Sequence, residues 1–117
     1  MTKNYFKRSE EWCLCCHSGG LVPDFRDKLN KAREIAGVPF VLNSAFRCSA
    51  HNQEVGGSER SSHLAGLAVD IKCTDSRSRW IIVDALMRAG FNRIGIGKSF
   101  IHVDDDLTKP HGVVWLY

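Results

Sequence analysis

A carboxylate inside an alternating apolar stretch limits this chain more than any other feature. From residue 67 to 72, Leu67, Val69 and Ile71 point one way and Ala68, Asp70 and Lys72 the other, the period of a strand with one buried face. A carboxylate held there is costly unless it is paired or bound to a metal. His63 stands seven residues upstream, and only small or apolar residues, Gly66 and Ala68 among them, lie between. A second alternating stretch, 99–104, puts Ile101 and Val103 on one face and Phe100, His102 and Asp104 on the other. If the two strands are neighbours, His63, Asp70 and His102 offer two imidazoles and one carboxylate. That set can hold one zinc ion and leave a coordination position for water, whose pKa the metal lowers to about 7. Taken alone, the His-to-Asp spacing is equally an ordinary surface pattern, and His63 equally a turn cap. Small residues at 66 and 68 fit a site that a larger side chain would crowd.

The remaining elements follow from periodicity and punctuation. At 117 residues the chain is expected to form one domain spanning 1–117. A short helical turn is expected over 9–12, broken by Ser18-Gly19-Gly20. A helix opens at Pro23-Asp24, buries Phe25, Leu29, Ala32, Ile35 and Ala36, and ends at Gly37, with Arg26, Asp27, Lys28, Lys31 and Arg33 on a solvated face. Residues 38–43 read as a strand running into the 44–47 loop, and Ser49 as the cap of a short helix stopped by Gly56-Gly57. Residues 58–62 read as a polar loop facing the site. Asp75 or Ser76 caps a second long helix to Ala89 whose buried side is Trp80, Val83, Ala85, Leu86 and Met87. Strands over 91–96 and 112–117 complete the set; Gly95 and Gly97 mark a turn or a close backbone approach. The expected fold is α+β: a small antiparallel sheet with helices packed on one side.

Charge and cysteines narrow the function classes. A net charge of +3 suits an anionic polymer, but no basic run is interleaved with aromatics, so nucleic acid is not expected as a partner. No secretory signal and no membrane span is read from the residues. Five cysteines, Cys13, Cys15, Cys16, Cys48 and Cys73, cannot all pair within one chain. Cys13-Leu14-Cys15-Cys16-His17 offers a second metal site only as the lesser reading, because it lacks the two-residue gap of zinc knuckles. Buried thiols, or one or two disulfides formed after release, are the expected state, and His17 matters only if the run binds metal.

The stretch from Ser61 to Asp70 resembles the Ser-x-His-x-x-Gly-x-Ala-x-Asp signature of bacterial and phage zinc D-Ala-D-Ala carboxypeptidases and L-alanyl-D-glutamate endopeptidases. His102-Val103-Asp104 is similar to their His-x-Asp element. Ser44-Ala45-Phe46-Arg47 ahead of His51-Asn52, then Val55-Gly56-Gly57, and the ending Val114-Trp115-Leu116-Tyr117 extend the likeness over nearly the whole chain. The resemblance implies a hedgehog/DD-peptidase-like scaffold with one catalytic Zn²⁺ on His63, Asp70 and His102. It implies that the protein hydrolyses peptidoglycan stem peptides by attack of metal-activated water. It further implies a phage lysin-type enzyme: a monomer made in the cytoplasm that acts on the bacterial cell wall after release, with a host enzyme exported by another route as the alternative.

By the same resemblance Arg47 polarises the scissile carbonyl and binds substrate, a task suited to a guanidinium; a surface salt bridge is its plain alternative. Ser61 orients the His63 loop, binds substrate, or simply caps. The chain departs from the pattern at the general base, because relatives carry an acid or imidazole where Ser99 and Phe100 stand. Asp104, beside His102 on one strand face, is the expected base, with Asp106 and His111 next; Asp104 equally reads as a partner that orients an imidazole. His51 reads as cleft lining or surface. The contrasting function is a non-catalytic zinc-containing module that binds the wall or a partner, as hedgehog signalling domains do. A structural zinc domain is a third reading, with a fourth protein ligand closing the site.

Overall fold

The structure, a computed structural model, describes residues 3–58 and 61–117. In chain order its elements are α1 (Arg8–Glu11), α2 (Pro23–Ala36), β1 (Leu42–Ser44), α3 (Ser49–Glu54), a 3₁₀ turn (Ser62–Ala65), β2 (Ala68–Lys72), α4 (Ser76–Arg88), β3 (Arg93–Ile96), β4 (Phe100–Asp104) and β5 (Val113–Leu116). The strands form one sheet in the order β1-β2-β4-β3-β5. The expected α+β class holds, but the sheet is mixed rather than antiparallel, because β5 runs parallel to β3. β3 and β4 are antiparallel, so β4 finishes where β3 begins. The 105–112 loop turns back at that end, with Gly112 N–H and Val113 N–H both donating to Asn92 O at 2.9 and 3.0 Å. β5 therefore starts level with β3 and lies along its free edge.

Strand alternation sorts the sheet into two faces. Val69, Ile71, Ile94, Ile101 and Val103 are wholly buried on one face, in one cluster with Phe25, Leu29 and Ala32 of α2 and Ile82 and Leu86 of α4. Phe91 meets Phe25 edge-on at 5.6 Å between ring centroids, a favoured aromatic geometry. Leu86 has no exposed surface, and Leu86→Ala is expected to cost about 2–5 kcal/mol by the cavity it leaves. A urea midpoint unchanged from wild type would remove Leu86 from the core.

Several helix expectations need correcting. α4 buries Ile82, Ala85 and Leu86, and Ala89 just beyond it continues the stripe; Trp80 and Met87 are largely exposed, at 71% and 50%. Positions 82, 85, 86 and 89 fall on one helical face, and 80 and 87 lie off it. Ile35 of α2 is likewise exposed. Arg26 does not belong to a solvated face: its guanidinium donates to both Glu11 oxygens at 2.6 and 2.8 Å, and Glu11 is buried. The strand expected over 38–43 is shorter and later, at Leu42–Ser44. Asp75, not Ser76, caps α4 through Ser78 N–H, and α3 is capped by the Cys48 sulfur rather than by Ser49.

Gly66 is small for a reason other than a metal. It ends the 3₁₀ turn with φ +70°, and a Cβ there would lie 2.5 Å from the Gly20 carbonyl oxygen. Backbone packed on backbone, with Val22 N–H donating to Gly66 O at 2.9 Å, fixes the turn that carries His63.

Candidate metal centre

His63, Asp70 and His102 converge. One ligand atom from each lies within 4.8 Å of the other two. Asp70 and His102 are direct cross-strand partners on β2 and β4, and the alternation that buries Val69 and Ile101 turns both toward the opposite face. His63 comes from the 3₁₀ turn just before β2. The Asp70 carboxylate sits between the imidazoles, with Oδ1 2.8 Å from His102 Nδ1 and Oδ2 3.4 Å from His63 Nε2.

The far nitrogen of each ring has its own partner. His63 Nδ1 is 2.7 Å from the Ala45 carbonyl oxygen, and His102 Nε2 is 2.7 Å from Asp104 Oδ2. Such contacts fix ring orientation and tautomer, leaving His63 Nε2 and His102 Nδ1 for a metal. Burial alone would push the Asp70 pKa up, but hydrogen bonds from His102 and His63 outweigh it and hold the carboxyl well below its ordinary range. Burial likewise opposes ionisation of His102, yet the Asp104 and Asp70 carboxylates raise its pKa. An ionised carboxylate with two oriented imidazoles is the donor chemistry zinc takes, so the residues present fit that ion.

Asp104 is buried, and both its oxygens are engaged. Oδ2 faces His102, while Oδ1 accepts from Arg93 Nε at 2.6 Å and from Asp106 N–H at 3.2 Å. The neighbouring acid, Asp106, accepts from Ser62 Oγ at 2.8 Å and from Thr108. His111 faces Asn92 and the Asp106 backbone. Neither Asp106 nor His111 lines the cleft over the cluster, whereas Asp104 does.

That cleft has a volume of about 310 Å³ and is walled by Arg47, Ser61, Lys109, Trp115 and Tyr117 among others. β1 lies beside β2 and pairs Ser44 with Asp70, which brings the 45–47 loop to the cluster; Arg47 N–H donates to His63 O at 3.1 Å. Burial lowers the Arg47 pKa and the Asp70 carboxylate opposes that shift. Its Nε is buried without a hydrogen-bond partner among the described residues. Ser61 Oγ accepts from His63 N–H at 3.3 Å, capping the turn. The 58–62 loop includes Glu59 and Arg60, which lie outside the described residues. His51 is not among the cleft's walls; its Nδ1 is 3.7 Å from Glu54.

Four contributors were not singled out from sequence. Arg93 anchors Asp104, donates to Pro110 O, and stacks over Trp115 with its guanidinium carbon 5.0 Å from the ring centroid. Lys109 Nζ reaches Ser62 Oγ at 2.9 Å. Trp115 and Tyr117, noted above only as part of a chain ending, stand 5.6 and 6.2 Å from the His102 ring. Gly95 makes room for them, since a Cβ there would fall 2.6–2.7 Å from both rings. The close approach expected at Gly95 is thus to aromatic side chains.

Two nitrogens and one carboxylate oxygen at the floor of an open cleft are a group that could hold a metal ion, the donor set of a class, the metalloproteins whose centre keeps room for a reacting molecule. Within that class the family is shown by a match of the peptidase M15 family model to residues 4–104. The chain belongs to the peptidase M15 family of zinc-dependent metallopeptidases. No curated protein matches it. No helix among the described residues is long and apolar enough to cross a membrane.

Proposed function

We propose that this protein is a peptidoglycan hydrolase that cuts stem peptides, either removing a terminal D-Ala or splitting the L-Ala–D-Glu bond, with His63, Asp70 and His102 holding one zinc ion. The observation that carries the reading is the convergence of those three side chains beneath a cleft that also presents Arg47. When bound, the ion supplies a Lewis acid that makes hydroxide available near neutral pH. Arg47 meets the scissile carbonyl and stabilises charge developing on its oxygen. Lys109, whose Nζ lies 3.5 Å from Asp106 Oδ2, joins Arg47 and Arg93 as a third cation on the cleft wall, suited to the free carboxylates of a stem peptide, and Trp115 and Tyr117 exclude water from one side.

Asp104 takes the positioning role rather than that of base. Its oxygens are committed to His102, Arg93 and the Asp106 N–H, so it holds the His102 ring with Nδ1 toward the metal. Asp104→Asn is expected to weaken zinc affinity about 10–100-fold, measured by competition with a chelating dye. Intact affinity with lost turnover would return Asp104 to the base role.

Purified protein incubated with peptidoglycan should release new amines, and a chelator should stop it; mass analysis of the muropeptides identifies the bond. Wall binding with no amine released would assign the chain to the non-catalytic alternative, which the full engagement of Asp104 favours. A phage lysin role, acting as a monomer on the wall, belongs to the same proposal and rests on the likeness of residues 61–70 and 102–104. Clearing of wall-exposed cells by added protein checks it.

A further inference from the structure

Away from the cleft, four sulfurs meet. Cys13, Cys15, Cys16 and Cys48 each place Sγ within 4.8 Å of the other three. Cys15 Sγ lies 3.4 Å from Cys13 Sγ and 3.3 Å from Cys48 Sγ, and all four are free thiols. Four thiolates at about 2.3 Å around one zinc stand roughly 3.8 Å apart, so the sulfurs are already gathered at tetrahedral scale. Cys73, the fifth cysteine, is buried in the apolar core, where a thiol behaves as a small hydrophobe. That explanation does not extend to the cluster: Cys15 and Cys16 are exposed and Cys48 is half-buried.

The backbone is shaped around these sulfurs. Residues 13–18 form a tight turn, with His17 N–H donating to Cys13 O and Cys13 N–H to Ser18 O, both at 2.8 Å. His17 is held at φ +54°, a region costly for a residue with a Cβ, and its ring stacks on Trp12 at 4.9 Å. His17 therefore does not join the cluster, and Cys48 from the far side of α2 and β1 does. His51 N–H donates to Cys48 Sγ at 3.4 Å. Donors of this kind support thiolate charge around a metal.

We propose that Cys13, Cys15, Cys16 and Cys48 bind one zinc(II) ion as a tetrathiolate, a second metal site that clamps the N-terminal turn to the loop bearing Arg47. Four sulfur ligands close the coordination sphere, so the site is structural, and soft thiolates select zinc over magnesium or calcium. Each thiol gives up its proton on loading, which releases four protons to solvent and makes binding tighter as pH rises. Cys48 follows Arg47 directly and caps α3. Phe46 N–H donates to Glu11 O at 3.1 Å, and Gly19 lies against the Phe46 ring, so the clamp joins segments that already touch.

The test counts metal on the full chain purified under reducing conditions. Wild type should carry two zinc ions, Cys15→Ser/Cys48→Ser one, and His63→Ala/His102→Ala one. Cobalt loaded into the histidine variant should show thiolate-to-metal charge-transfer absorption. On wild type, a mercurial titrant should release one zinc for four thiols consumed, a readout that stands even if the cysteine variant fails to fold. One zinc in wild type, undiminished in the cysteine variant, would overturn the proposal; so would four thiols titrating with no zinc released. Failure of the cleft to hydrolyse would leave the count unchanged, so the two readings fail separately.

Discussion

His63→Ala is expected to lower bound zinc by one ion per chain and to bring hydrolysis of peptidoglycan down to the level seen with chelator. The imidazole is buried and lies between two anchors, the Ala45 carbonyl oxygen on one nitrogen and Asp70 on the other. Alanine supplies neither contact, and the remaining pair, Asp70 and His102, is one ligand short of a catalytic zinc site. Bound zinc lowers the pKa of water from 15.7 to about 7, so losing it costs at least about 10³-fold in rate near neutrality. Zinc added back after chelation should restore wild type and leave the variant inactive. Circular dichroism must show the variant folded, because the exchange also leaves a cavity beside β2. Near-normal turnover in a folded variant would end the metal account of the cleft.

Arg47→Ala should lower kcat by about 10²–10³-fold, the usual cost of losing one donor to a developing oxyanion, with KM changed far less. Zinc content should be unchanged, since Arg47 is not among the ligand atoms. The guanidinium is brought to the cleft by the β1–β2 pairing and by its own N–H bond to His63 O. Its Nε is buried with no hydrogen-bond partner among the described residues, while the residue lines the cleft, where a guanidinium can donate to a substrate carbonyl. Arg47→Lys keeps the charge and loses the fork, so it should recover only part of the rate. Kinetics identical to wild type would make Arg47 part of the scaffold.

The parts of this molecule that could be read from the chain are those that depend on local period. Asp70 and His102 lie on alternating strands, and the apolar residues beside them settle which face each occupies. Their direct pairing depends on register, which neither strand encodes alone. β5 shows the same boundary: its apolar pattern marks a strand, but its direction follows from the 105–112 loop returning to the edge of β3. Trp80 and Met87 misled because they are large and apolar, although the helical stripe that meets the sheet runs through Ile82, Leu86 and Ala89. Cys48 could not be joined to Cys13, Cys15 and Cys16 by spacing, since α2 and β1 intervene. Arg93 gave no signal at all; its role appears only when β3 lies against β4.

Arg93 has a consequence for how this protein can change. One guanidinium touches the acid behind His102, the carbonyl of Pro110 and the face of Trp115. A substitution at Trp115 that reshaped the cleft for a different peptide would also loosen Arg93, then Asp104, then the His102 ring. With His102 as a zinc ligand, substrate selectivity and metal retention would be linked traits, and a library built at position 115 would have to be screened for both.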